Sequence, residues 1–164
     1  TIQEKNMSEK PDKQPILVPV DFSPHAEAAL VHASKLAECL QLPLLVLHVV
    51  HDPGGMPGYY AKAAKKKFLL RMEDVAKEMF DDFLARIRHQ YPDNKSLKHV
   101  EAMLVPGIPV TRILEVVKSR NAAMVVMGSK GEAGLKHLLV GSIATSMVQL
   151  SPVPVTIVKA NHQK

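Results

Sequence analysis

A chain of 164 residues with 46% hydrophobic content is sized and composed for one globular domain. Cys39 is the only cysteine, which excludes an intramolecular disulfide, and no apolar run reaches the roughly 18–20 residues of a membrane span. The net charge of +5 favours anionic ligands without choosing among nucleotide, nucleic acid and membrane.

With no tryptophan and 4% aromatic residues, the core must come from Val, Leu, Ile, Ala and Met. That suits a parallel sheet covered by helices. Tyr59-Tyr60 is a meagre stacking platform, so nothing indicates nucleic acid or a membrane as partner. Without a secretory signal at its start, the chain reads as cytoplasmic.

Residues 1–14 are polar and aperiodic, as expected of a mobile tail, and Met7 is a candidate native start. Residues 15–160 read as one domain, with 161–164 a short C-terminal tail. Ile16–Val20 is a short apolar run, read as a buried strand. It stops at Asp21-Phe22-Ser23-Pro24, where Ser23 suits a helix cap and Pro24 the first turn. Ala26, Ala29, Leu30, Ala33, Leu36, Ala37 and Leu40 then recur on one face of a helix. Cys39 beside that stripe reads as a small core residue. Leu44–Val50 is the second strand.

After the Pro/Gly-rich 51–58, a long helix is predicted over Tyr60–His89. Its buried stripe is expected at Phe68, Met72, Val75, Met79, Phe83 and Ile87. Lys62, Lys65, Lys66, Lys67 and Arg71 near its start read as a solvated face, the alternative being an anion-attracting patch. Tyr91-Pro92-Asp93-Asn94 ends it. Lys98–Val105 is the predicted third strand, and Gly107-Ile108-Pro109 leads into a helix with Val110, Ile113, Leu114 and Val117 inward. Ala122–Met127 is strand four, Ile143, Met147 and Leu150 mark a short helix, and Val153–Lys159 is the last strand.

Strands alternating with helices predict a single-domain α/β protein, a Rossmann-like three-layer sandwich. Its sheet has five mainly parallel strands and about four helices. Ligands of such folds sit beyond the carboxyl ends of the strands, where strand order reverses. Asp21 follows strand one, and Gly128-Ser129-Lys130-Gly131 follows strand four. If those strands are neighbours, a carboxylate faces a glycine segment that leads to Gly141-Ser142 at a helix start. Glycine permits positive φ and close approach, and helix-start N–H groups favour phosphate. The segment lacks both the Lys-Ser/Thr ending of a P-loop and the spacing of a dinucleotide fingerprint.

These residues resemble the universal stress protein family over 15–160. The resemblance rests on Ile16-Leu17-Val18-Pro19-Val20-Asp21-Phe22-Ser23, His48-Val49, Val125-Val126-Met127-Gly128-Ser129, Gly141-Ser142 and Ser151-Pro152-Val153-Pro154-Val155. Gly128, Gly131, Gly141 and Ser142 fit the G-x2-G-x9-G-[S/T] pattern of its ATP-binding branch. The resemblance implies that Pro19, Val20 and Asp21 line the adenosine end, with Val49 against adenine and Met127 and Gly128 on the other side. It implies a triphosphate loop at Lys130, Gly131, Gly141, Ser142 and Ile143, with ATP bound alongside Mg2+ or Mn2+. Lys130 is partly an independent assignment, since an ammonium there suits a phosphate oxygen. Ala122-Ala123 departs from the family, which usually carries an acid there.

No base stands out near Gly128–Ser142, and Glu132 suits solvent equally well, so an enzyme is not expected. Slow hydrolysis or self-phosphorylation stays open, as does a dimeric scaffold with an empty loop. The eight histidines lack a spacing that makes a metal site; His48 and His51 fall on opposite strand faces. The resemblance further implies a homodimer through Val153–Lys159, a regulatory or signalling role in the stress response, and an unidentified protein partner.

Overall fold

The computed structural model describes residues 13–51, 59–130 and 140–160, the side chains of 59–69 excepted. Five strands, β1 (Ile16–Pro19), β2 (Leu44–His51), β3 (Glu101–Gly107), β4 (Met124–Gly128) and β5 (Val155–Val158), form one sheet in the order β3-β2-β1-β4-β5. Every pairing in it is parallel. Between them run α1 (Pro24–Leu40), α2 (Tyr59–Gln90), α3 (Lys95–Lys98), α4 (Pro109–Ser119) and α5 (Ser142–Leu150). The predicted α/β sandwich is therefore present, all-parallel, with a fifth helix in α3.

Strand alternation sends successive residues to opposite helix layers. Ile16, Val18, Leu44, Val46 and Val126 pack with α1 and α2, whereas Leu17, Leu45, Leu47, Val125 and Met127 pack with α4 and α5. Both faces of the central strands are covered, which is why β1 and β4 are apolar without interruption. Helix α1 buries Ala26, Ala29, Ala33 and Ala37, and these small side chains let its axis lie close to the sheet. Ser23 caps it, accepting from the Ala26 N–H at 3.2 Å, as the sequence suggests.

Five expectations change, the first being that strand four begins at Met124 and not at Ala122. Strand three begins at Glu101, because Asn94 accepts from the Leu97 N–H and caps α3, and Leu97 is buried beneath that turn. The last strand begins only at Val155: Pro154 has no N–H, and the Ser151 hydroxyl bonds both the N–H and the carbonyl of Val153 in a local turn. On α2 the buried stripe runs through Ala76, Phe80, Phe83, Leu84 and Ile87, leaving Val75 57% and Met79 50% exposed. Rotating the helical stripe by one position explains the error, since each of these lies one residue before a buried one. Leu40 and Cys39, in the last turn of α1, are exposed, so Cys39 is not a core residue.

Candidate functional site

Strand order reverses between β1 and β4. The chain leaves β1 for β2 on one side, and β4 leads to β5 on the other. Neighbouring parallel strands diverge there at their carboxyl ends, opening the crevice that doubly wound sheets use. The turn Val20-Asp21-Phe22-Ser23 follows β1, and Gly128-Ser129-Lys130 ends β4. The structure thus brings the carboxylate segment and the glycine segment to one end of adjacent strands.

Several interactions fix the first of these. Val20 extends β1 by donating its N–H to the Leu47 carbonyl at 2.8 Å. The Asp21 Oδ1 accepts from the Ser23 hydroxyl at 2.6 Å and from its N–H at 3.2 Å. Asp21 therefore orients the capping serine and does not cap α1 directly. Phe22 occupies the left-handed region at φ 67°, a conformation that costs a non-glycine residue about 1–2 kcal/mol. Its ring stacks on His48 at 4.3 Å and meets Phe83 and Phe80 at 5.5 and 6.0 Å. This aromatic packing holds the turn that presents Asp21.

His48 donates Nδ1–H to the Val20 carbonyl at 2.8 Å, since a carbonyl can only accept. Desolvation lowers its pKa below the ordinary value of 6.5, against the opposing effects of that hydrogen bond and of the Asp21 charge. The folded protein thus binds fewer protons here than the unfolded chain. Stability is full above pH about 6.5, falls as pH drops through that value, and levels off below the folded pKa. Urea unfolding between pH 7.5 and 5 should show the wild type losing its advantage over His48→Gln as the solution is acidified. An advantage constant with pH would contradict this assignment.

The second segment is tied as closely. Ser129 is 1% exposed and uses three groups: its N–H donates to Val158 O at 2.8 Å, its carbonyl accepts from the Gly141 N–H at 2.7 Å, and its hydroxyl lies 3.3 Å from His25 Nδ1. The Gly141 bond ties the residue before α5 to the end of β4. Gly141 is the residue before the first turn of α5, with φ −74° and ψ 163°, an ordinary extended conformation. Gly128 is likewise not among the positive-φ residues; its lack of a side chain serves close packing against α1. Positive φ in a described glycine belongs to Gly107 at the end of β3, where Arg112 crosses the backbone. Close approach, and not left-handed backbone, is what Gly128 supplies.

Of the residues singled out from sequence, Pro19, Asp21, Val49, Gly128, Lys130 and Gly141 are half-buried. Val20 and Met127 are buried, while Ser142 and Ile143 are exposed at the start of α5. Val49 and Met127 share the face covered by α4 and α5. Gly131 and Glu132 lie outside the described residues, as do the side chains of Lys62 to Lys67 and both tyrosines of 59–60. Sequence reasoning missed Phe22, His25 and the positioning part of His48. His48 carried a signal, a polar residue within an apolar strand; the other two carried none. Among the described residues no cluster of three His, Cys, Asp or Glu is arranged to hold a metal ion. No described helix is long and apolar enough to cross a membrane.

The fold and the crevice define a doubly wound α/β protein. The universal stress protein family model matches residues 13–159, and the chain belongs to that family. It is 30% identical over 145 residues to a universal stress protein of Mycolicibacterium smegmatis, covering 88% of this chain and 45% of that one. The chain thus spans about half the length of that relative. With universal stress protein MJ0577 of Methanocaldococcus jannaschii it shares 28% identity over 163 residues, 90% of this chain and 95% of the relative. The solved structure of MJ0577 superposes with a TM-score of 0.73 at 25% identity, over 92% of this chain and 99% of that one. A universal stress protein solved in complex with cAMP has the same fold, with a TM-score of 0.64 at 19% identity, covering 91% and 99% of the two chains.

Proposed function

We propose that this protein binds ATP with Mg2+ or Mn2+ and acts as a cytoplasmic regulatory module of the stress response, without turning the nucleotide over. The observation that carries this reading is the meeting of Asp21 and Gly128-Ser129 at the ends of adjacent strands, with the start of α5 tied to the end of β4 by the Ser129–Gly141 hydrogen bond. In this reading residues 15–160 are one nucleotide-binding domain. Pro19, Val20 and Asp21 receive the nucleoside, Val49 supplies an apolar contact to the base, and Met127 and Gly128 close its other side. Lys130, Gly131, Gly141, Ser142 and Ile143 surround the phosphates. The N–H groups at the start of α5 and the Lys130 ammonium suit negative charge. The Ser142 hydroxyl is the candidate protein contact to the nucleotide-bound cation.

A protein that holds ATP without consuming it acts by changing assembly or a partner. Strand β5 is an edge strand and its four residues are half-buried. Edges pair with other edges, so a homodimer through this strand is part of the proposal. A ligand biases such assembly only through unequal affinity for the two states.

The test identifies by mass spectrometry the nucleotide that co-purifies, then titrates Mg·ATP by calorimetry with AMP and cAMP as competitors. Gly141→Val puts a branched side chain at the start of α5 and is expected to reduce ATP affinity at least about tenfold, one well-placed charged hydrogen bond or more. Its backbone angles are open to valine, and urea unfolding of the variant checks that it stays folded. No detectable ATP binding by the wild type at millimolar nucleotide would sink the proposal.

A further inference from the structure

The crevice is joined to the end of the last strand by a side chain that neither its sequence context nor the family resemblance singles out. His25 stands in the first turn of α1, and its Nδ1 accepts from the Ala160 N–H at 3.0 Å. That bond puts the lone pair on Nδ1 and the proton of the neutral ring on Nε2. The same nitrogen lies 3.3 Å from the Ser129 hydroxyl, a longer contact that shares the one Nδ1 lone pair with the Ala160 N–H. Two residues before Ala160, Val158 accepts from the Ser129 N–H, and Ser129 in turn holds Gly141. The backbone of His25 also lies where a Gly128 side chain would be. One residue thus touches the start of the glycine segment and the first residues beyond β5.

We propose that His25 is a positioning residue that makes the glycine segment and the C-terminal end of β5 one unit, so that ATP at the crevice is felt at Ala160. This rests on the ATP-binding reading. The physical basis is pre-organisation. Ser129 donates to Val158, accepts from Gly141 and is braced by His25, so the N–H groups around Gly141 are set before the ligand arrives. Without the brace, ATP has to order that stretch itself and loses affinity by the ordering cost. By the same linkage, bound ATP strengthens the His25–Ala160 hydrogen bond.

The full chain is titrated with Mg·ATP by calorimetry as wild type, His25→Ala, His25→Asn, Ala160→Pro and the His25→Ala/Ala160→Pro pair. Ala160→Pro deletes the donor N–H while leaving every crevice residue in place. It serves even if His25→Ala folds poorly. Each of these two single changes is expected to weaken ATP about two- to tenfold, the range of one net hydrogen bond. The pair is expected to be no weaker than His25→Ala alone, because Ala160→Pro removes only a bond that His25→Ala already removes. Asn offers an amide oxygen where Nδ1 stood, so His25→Asn should restore near-wild-type affinity. Amide exchange at Ala160 should slow on ATP addition in the wild type and in His25→Asn, but not in His25→Ala. A merely structural histidine would not move that last readout. If the wild type binds ATP and both single variants bind equally well, or their effects add, the positioning role is wrong and the ATP reading stands. If the wild type binds no ATP, both fall.

Discussion

Gly128→Ala is expected to destabilise the protein by about 1–3 kcal/mol, the usual cost of forcing extra atoms into a packed interior. A Cβ at Gly128 would stand 2.8 Å from the carbonyl carbon and Cβ of His25 and 2.9 Å from its carbonyl oxygen. Two of those atoms are backbone, so no side-chain rotation relieves the clash, and the first turn of α1 must move. That turn carries the Ser23 cap and the His25 bond to Ala160, which would loosen together. For a domain of this size the loss corresponds to a drop of several degrees in Tm, measured by thermal or urea unfolding. Gly141→Ala is the control. Its extended backbone accepts alanine, so its cost should stay below about 1 kcal/mol, the scale of a changed cap. Equal stability losses in the two variants would contradict the distinct roles assigned to these glycines.

The same contrast shows what the sequence could and could not carry. Apolar runs bounded by turn residues located all five strands: the central ones are buried on both faces and need an apolar stretch, while the edge strands β3 and β5 are mostly apolar though only half-buried. Topology followed from alternation, and Ser23 as the cap of α1 followed from local chemistry. Boundaries were less legible. The starts of β3 and β5 depend on Asn94 and Ser151 bonding nearby backbone, local competitions that periodicity does not register. The exposed Val75 and Met79 share the composition of a core stripe, and only the packing partner decides which face turns inward.

At the crevice, the placement of Asp21 beside Gly128 was legible once β1 and β4 were taken as neighbours. How the two are held was not. Phe22 at positive φ, stacked on His48, is a tertiary arrangement of residues 26 positions apart. The bond from His25 to Ala160 spans 135 positions. Glycine spacing did not show that Gly128 also yields room to α1, where the His25 backbone lies in the place of its side chain.

Replacing Asp21 is expected to separate turn-making from ligand-holding. The carboxylate accepts both the hydroxyl and the N–H of Ser23, so part of any Asp21→Ala effect comes through the helix cap. Ser23→Ala measures that part alone: it removes the hydroxyl that accepts from Ala26 and should cost about 1 kcal/mol of stability, with little change in ATP affinity. Asp21→Asn keeps an acceptor oxygen for Ser23 and removes the negative charge. If the carboxylate receives hydroxyls of the nucleoside, Asp21→Asn should weaken ATP roughly tenfold at nearly unchanged stability. Asp21→Ala should weaken it by about 10- to 100-fold, in the range of a charged hydrogen bond. Calorimetric titration beside urea unfolding of the three variants reads both quantities. An Asp21→Ala protein that matches Ser23→Ala in stability and in affinity would reduce Asp21 to a turn residue, because a purely local effect passes through the cap they share. A loss of affinity in Asp21→Asn without loss of stability cannot pass through that cap, and it would place the nucleoside at the end of β1.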